Sequence, residues 1–247
     1  MSNRIAPKLL AEFIGTFALI FIGAGAAAVI GDGTGLPGVA AIAFAHGLTV
    51  MAFAFAYGPI SGGHFNPSVT VGVLAAGAMR TGEAIGYIVS QVLGGIAGAF
   101  FLSAVLGGAG TGLGTPALAH DLALGATSLT ITPAAGFMIE AVLGFFLVTV
   151  VLGTAVAGRA GSLAPLAIGM TLTLNIIMGG ALTGAAFNPA RALGPMVATG
   201  NFNDAWLYLT APIVGAIVAA ILHTGLARLA HERMAAEPDR AARTPAE

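Results

Sequence analysis

The chain has 247 residues, 57% hydrophobic and only 8% charged, with a net charge of −1 and no cysteine. A soluble domain typically carries about 25% charged residues, so this chain cannot cover a water-facing surface, and its mean hydropathy of +0.95 assigns it to a bilayer. The absence of cysteine excludes disulfides and thiolate metal sites, and the near-neutral charge leaves no basic footprint for nucleic acid.

Met1 to Lys8 is a short polar leader carrying Arg4 and Lys8. The apolar run behind it is too long for a cleavable signal. Leu9 to Ile30 is the first predicted span, about the 20 residues that cross a bilayer. Gly31 to Gly38 reads as a turn, and Val39 to Tyr57 as the second span. Phe65 to Met79 is apolar but too short to cross, which predicts a half-spanning helix opened by Asn66-Pro67. Ala84 to Leu106 is the third span, and 107–132 a long connector rich in Gly, Thr and Leu. Pro133 to Ala157 and Leu163 to Leu182 are the fourth and fifth spans, Asn188 to Ala198 is a second half-helix, and Trp206 to Leu229 is the sixth span. His231 to Glu247 is charged and reads as a flexible cytoplasmic tail, leaving residues 1–230 as a single membrane domain.

Charge tests this topology. Six spans put both ends of the chain on one side, where eight of the nine Lys and Arg then fall. The positive-inside rule makes that side the cytoplasm. The ninth is Arg191, while Asp32, Asp121 and Asp204 fall opposite.

The chain is also a duplication. Ser61-Gly62-Gly63-His64-Phe65-Asn66-Pro67-Ser68 returns as Thr183-Gly184-Ala185-Ala186-Phe187-Asn188-Pro189-Ala190, with Asn66 and Asn188 122 positions apart. The same offset pairs Gly47 with Gly169, and an offset of 121 pairs Tyr87 with Tyr208 and Gly94 with Gly215. Three spans per repeat force the halves into opposite orientations, so the half-helices enter from opposite faces. The fold class is therefore an all-α membrane protein with six transmembrane helices, two half-spanning re-entrant helices and an inverted internal repeat. Each half-helix starts near the midplane with unpaired N–H groups and a positive dipole end. Pro67 and Pro189 lose nothing at a first turn, and the Asn66 and Asn188 amides supply further donors to a lumen.

Two Asn-Pro boxes in matched repeats, the second followed by Arg191, resemble the aquaporin/aquaglyceroporin (major intrinsic protein) family from about Leu9 to Leu229. The first box departs from the usual pattern, with Ser68 where the second has Ala190. The resemblance implies a passive channel for water and small uncharged solutes, without cofactor, catalysis or resident metal. It also implies a homotetramer with one pore per subunit, for which Gly94-Gly95 and Ala97-Gly98 would offer small-residue outer faces. By position it places His46, Ile176, Ala185 and Arg191 at the narrowest constriction, a set that matches neither the water-selective nor the glycerol pattern and looks most like some plant tonoplast intrinsic proteins. Glycerol-type members usually carry Asp after the arginine. Here Ala192 follows, and the segment from Asn201 to Trp206 is short, both of which point to water.

Glu12 and Glu140 hold like places in the first span of each repeat. An intramembrane carboxylate can serve a proton relay, or it can accept hydrogen bonds from the box loops, as the resemblance implies, with Gln91 in similar work. His64 reads as a loop-packing residue, and no two of the five histidines are spaced for a metal. Three readings stay open: a channel, broad or strictly water-selective; a secondary transporter; and a membrane scaffold with a closed lumen. The membrane expected is a plasma membrane such as a bacterial inner membrane.

Overall fold

The computed structural model of the protein describes residues 5–31 and 36–241. Asp32, Arg4 and the last residues of the expected tail, 242–247, lie outside that range. Among the described residues six helices are long and apolar enough to cross a bilayer. They are α1 (Ile5–Ile30), α2 (Leu36–Ser61), α4 (Thr81–Val105), α5 (Pro133–Val156), α6 (Ala164–Thr183) and α8 (Ala205–Ala241). Between them lie the half-helices α3 (Pro67–Ala75) and α7 (Pro189–Thr199). The first span begins at Ile5, inside the expected leader, where Lys8 pairs with Glu83 at 2.6 Å. The last helix runs past the predicted end of the sixth span into the stretch expected to be tail. The connector after α4 contains a 3₁₀ turn, Gly112–Gly114, and a small hairpin, β1 (Leu122–Leu124) with β2 (Thr127–Leu129), in place of an irregular segment.

The helices pack as two interlocked halves. α1 lies on α4, α5 on α8, and α2 on α6 across the pseudo-twofold. The half-helices cross over: α3 packs on α8 of the second repeat, and α7 on α4 of the first. Glycine makes these crossings possible, since lipid offers no hydrophobic drive and close backbone approach must supply the packing. At the α2–α6 crossing, a Cβ on Gly47 would lie 2.5 Å from the Gly169 carbonyl oxygen, and one on Gly169 would lie 2.6 Å from that of Gly47. The repeated pair is thus one mutual contact on the symmetry axis.

Gly94 and Gly215 do the same for α1–α4 and α5–α8, against the backbones of Phe13 and Ala141. Gly94, Gly95 and Gly98 are therefore buried within the subunit and offer no outer face for assembly. Small residues permit close backbone contact on any helix face, and here the partner is the same chain.

Backbone on both sides, with Thr173 also against Gly47 and Met51 against Gly169, leaves the crossing little room to yield. Gly47→Leu and Gly169→Leu should each cost at least the roughly 1–3 kcal/mol of ordinary overpacking. Size-exclusion profiles of detergent extracts should lose the monodisperse peak for both, while Gly225→Leu, whose Cβ meets nothing within 4 Å, should keep it.

Candidate functional site

The two half-helices meet head to head through their boxes. Asn66 and Asn188 are extended N-caps at φ −157° and −151°, each followed by Pro at the first helical position. The Asn188 Oδ1 accepts the N–H groups of Ala190 and Arg191 at 3.1 and 3.2 Å. The Asn66 Oδ1 accepts one backbone N–H, from Ser68 at 2.8 Å, and the Ser68 hydroxyl, also at 2.8 Å. The amides then cross between repeats. Asn66 Nδ2 donates to the Phe187 carbonyl at 3.0 Å, and Asn188 Nδ2 to the Phe65 carbonyl at 2.9 Å. Each amide is thus tied to the opposite box as well as to its own helix. Ser68 Oγ lies 3.1 Å from the same Phe187 carbonyl, so the variant serine reaches beyond local backbone.

Phe65, Ala185 and Phe187 have φ of 48°, 42° and 29°, a region L-residues seldom adopt. Two buried carboxylates hold the loops that contain them. Glu12 Oε1 accepts the Ser61 hydroxyl at 2.7 Å and the His64 N–H at 3.0 Å. Its Oε2 accepts the Phe65 N–H and Gln91 Nε2, both at 2.7 Å. Glu140 Oε1 accepts the Thr183 hydroxyl at 2.6 Å and the Ala186 N–H at 3.0 Å, and its Oε2 accepts the Phe187 N–H at 2.5 Å. Sequence reading pairs the tyrosines beside them but assigns them no role. Tyr87 donates its hydroxyl to the Ser61 carbonyl at 2.7 Å and Tyr208 to the Thr183 carbonyl at 2.8 Å. Their matched offset was the signal. Gln91 also reaches Thr70 Oγ1 at 3.0 Å, and its counterpart in the second repeat is Pro212, which has no amide to give.

His46, Ile176, Ala185 and Arg191, far apart in sequence, line one narrow cavity of about 10 Å³. That is near the least volume that holds one water. A second cavity of about 20 Å³ contains Asn66 and the ring of His64, which also packs edge-on against Tyr87. The two cavities share Leu19, Leu172 and Asn188, so they follow one path past the crossed amides. Arg191 is 4% exposed. Its Nη1 donates to the Gly114 carbonyl in the connector at 2.8 Å, and its Nε has no protein partner. Its hydrogen-bond partner is thus a neutral backbone oxygen. His46 Nδ1 lies 2.9 Å from the Ile42 carbonyl, and its Nε2 is buried without a protein partner. Among the described residues no cluster of His, Cys, Asp and Glu could hold a metal.

Residues 2–223 match the family described as Major intrinsic protein. The chain is 39% identical over 217 residues to Aquaporin NIP1-2 of Oryza sativa subsp. japonica, covering 86% of this chain and 69% of the relative. It is also 39% identical over 229 residues to Aquaporin Z of Brucella melitensis biotype 1, covering 89% and 97%. The solved aquaglyceroporin of Plasmodium falciparum shares the fold at a TM-score of 0.75 with 24% identity, covering 90% of this chain and 96% of that one.

Removing either carboxylate strands its buried donors, at about 1–3 kcal/mol each. Glu12→Ala and Glu140→Ala should both lower the melting temperature in detergent. Glu140→Gln should fall between Glu140→Ala and the unmodified protein, because its one remaining carbonyl oxygen still accepts.

Proposed function

The chain belongs to the major intrinsic protein family, and we propose that it is a passive channel for water and small uncharged solutes, with His46, Ile176, Ala185 and Arg191 as its selectivity filter. The observation that carries this reading is that the four residues line one cavity of single-water size beside the crossed asparagines. Pro67, Ser68, Pro189 and Ala190 set the half-helices there, and Glu12, Glu140 and Gln91 act as supports for the loops. A guanidinium at the constriction and two positive helix ends oppose cations, and fixed donors that orient each water interrupt proton hopping; the exclusion by half-helix dipoles follows the general account of such pores.

One wall of the filter is polar and one apolar. A solute with both faces, such as glycerol or urea, suits it, and neutral ammonia and metalloid hydroxides fall in the same class. Ala192 favours the narrower alternative of a channel for water alone. A proton-coupled transporter finds less support. Glu12 and Glu140, its candidate coupling groups, have their oxygens occupied by loop and side-chain donors. The chain is an integral membrane protein. A bacterial inner membrane is the setting we favour, with both ends of the chain in the cytoplasm.

The deciding experiment is stopped-flow light scattering on proteoliposomes with water, glycerol and urea. The unmodified protein should pass all three. His46→Phe combined with Ile176→His rebuilds the pattern of water-selective relatives and should keep water flux while losing glycerol and urea flux about tenfold, or about 1.4 kcal/mol of barrier. An unmodified protein that passes water and excludes both solutes would leave the water-only reading.

We also propose a homotetramer. Its support is the family together with an apolar groove of about 640 Å³ between α5 and α6, where Met138, Phe146, Leu174 and Met178 stand exposed. Native mass spectrometry in mild detergent should show four subunits; a strict monomer that conducts would defeat the assembly.

A further inference from the structure

Leu19 to Ala24 of α1 are wound as a π-helix, a rare form that recurs at functional sites. Three residues of this turn meet the filter or its supports. Leu19 lines the cavity itself. Ala24 packs on Gly114: a Cβ on Gly114 would stand 2.6 Å from the Ala24 carbonyl oxygen, and the Gly114 carbonyl is the one that holds Arg191. Gly23 packs on His46. A Cβ at Gly23 would stand 2.6 Å from Cδ2, 2.8 Å from Cγ and 2.9 Å from Nε2 of the imidazole.

Gly23 does not line the cavity, so it meets the ring from outside. The ring is anchored at Nδ1 by the Ile42 carbonyl, while Nε2 has no protein partner. Of the two sides of this contact, the side chain is the one that can move. A methyl group at position 23 must therefore displace the imidazole, and that imidazole lines the cavity of about 10 Å³. At that size, a shift of a few tenths of an ångström changes what passes.

We infer that Gly23 is a specificity-determining position: by leaving room behind the His46 ring, it sets the aperture of the filter without touching the solute. The π turn is what presents Gly23, Leu19 and Ala24 to the filter together. This inference rests on the filter reading above.

The test compares four proteins in proteoliposomes: unmodified, Gly23→Ala, His46→Ala and the double variant, each read for water, glycerol and urea flux per channel. Gly23→Ala should lower the ratio of glycerol to water flux by about threefold or more, since pore diameter governs selection. Adding Gly23→Ala to His46→Ala should change no flux, because the ring it displaces is gone. Gly153→Ala, in the π turn Leu152–Val156 of α5 where an added Cβ meets nothing within 4 Å, should behave as unmodified protein. An unchanged ratio in Gly23→Ala, or the same effect with and without His46, overturns the inference while leaving the channel intact. If Gly23→Ala alone does not yield folded protein, recovery in the double variant supports the contact, and failure of both overturns it. An unmodified protein that conducts neither water nor solute removes the channel reading and this inference with it.

Discussion

Inside a bilayer every backbone N–H must find an acceptor within the protein or in an enclosed lumen. The loops ahead of α3 and α7 strain this rule most, because they carry irregular backbone to the centre of the molecule. Glu12 and Glu140 answer it. Each has its carboxylate on two successive loop N–H groups and on the hydroxyl of Ser61 or Thr183. Those bonds fix Phe65 and Phe187 at positive φ, which aims their carbonyls at the opposite asparagine. Without the carboxylates the carbonyls would not be presented, the amides would not cross, and the half-helices would have no fixed meeting point.

The same arrangement binds Glu140 to its loop. The Glu140 carboxyl accepts the Thr183 hydroxyl and the N–H groups of Ala186 and Phe187. Arg191 is held by a neutral carbonyl in turn. Direct pairing of the two would have cancelled the charge at the constriction, because a close ion pair in a low-dielectric setting neutralises itself. Instead Arg191 borders the cavity of about 10 Å³ with its Nη1 on a neutral carbonyl oxygen.

How much of this was legible in the sequence depended on spacing. Asn66 and Asn188, Glu12 and Glu140, and the glycine pairs recur at nearly fixed offsets, so a single chain reveals them without any structure. The span limits were close because apolar length is a direct consequence of bilayer thickness. The grip of Gly114 on Arg191 was not legible: it is made by a backbone carbonyl, and any residue type carries one. The π turn at Leu19–Ala24 leaves no mark in hydropathy, since one extra residue in a uniformly apolar run alters no pattern. The inward burial of Gly94, Gly95 and Gly98 was misread for the related reason that small residues announce close packing but not the partner.

The repeat is faithful in the scaffold and broken in the lumen. Carboxylates, tyrosines, asparagines and crossing glycines are all duplicated. The filter is not. At the offset of 122, His46 corresponds to Ile168 and Arg191 to Val69. Ile168 and Val69 line the second, larger cavity on the other side of the crossed asparagines. The two cavities therefore share a backbone plan and differ in lining: Arg191 and His46 border the space of about 10 Å³, while Val69 and Ile168, with His64 and Asn66, border the space of about 20 Å³. Symmetry supplies the frame in which the half-helices meet, and its local failure gives the two cavities different linings. A strictly symmetric duplicate would line both cavities with the same residues, and the arginine and imidazole would stand in both or in neither.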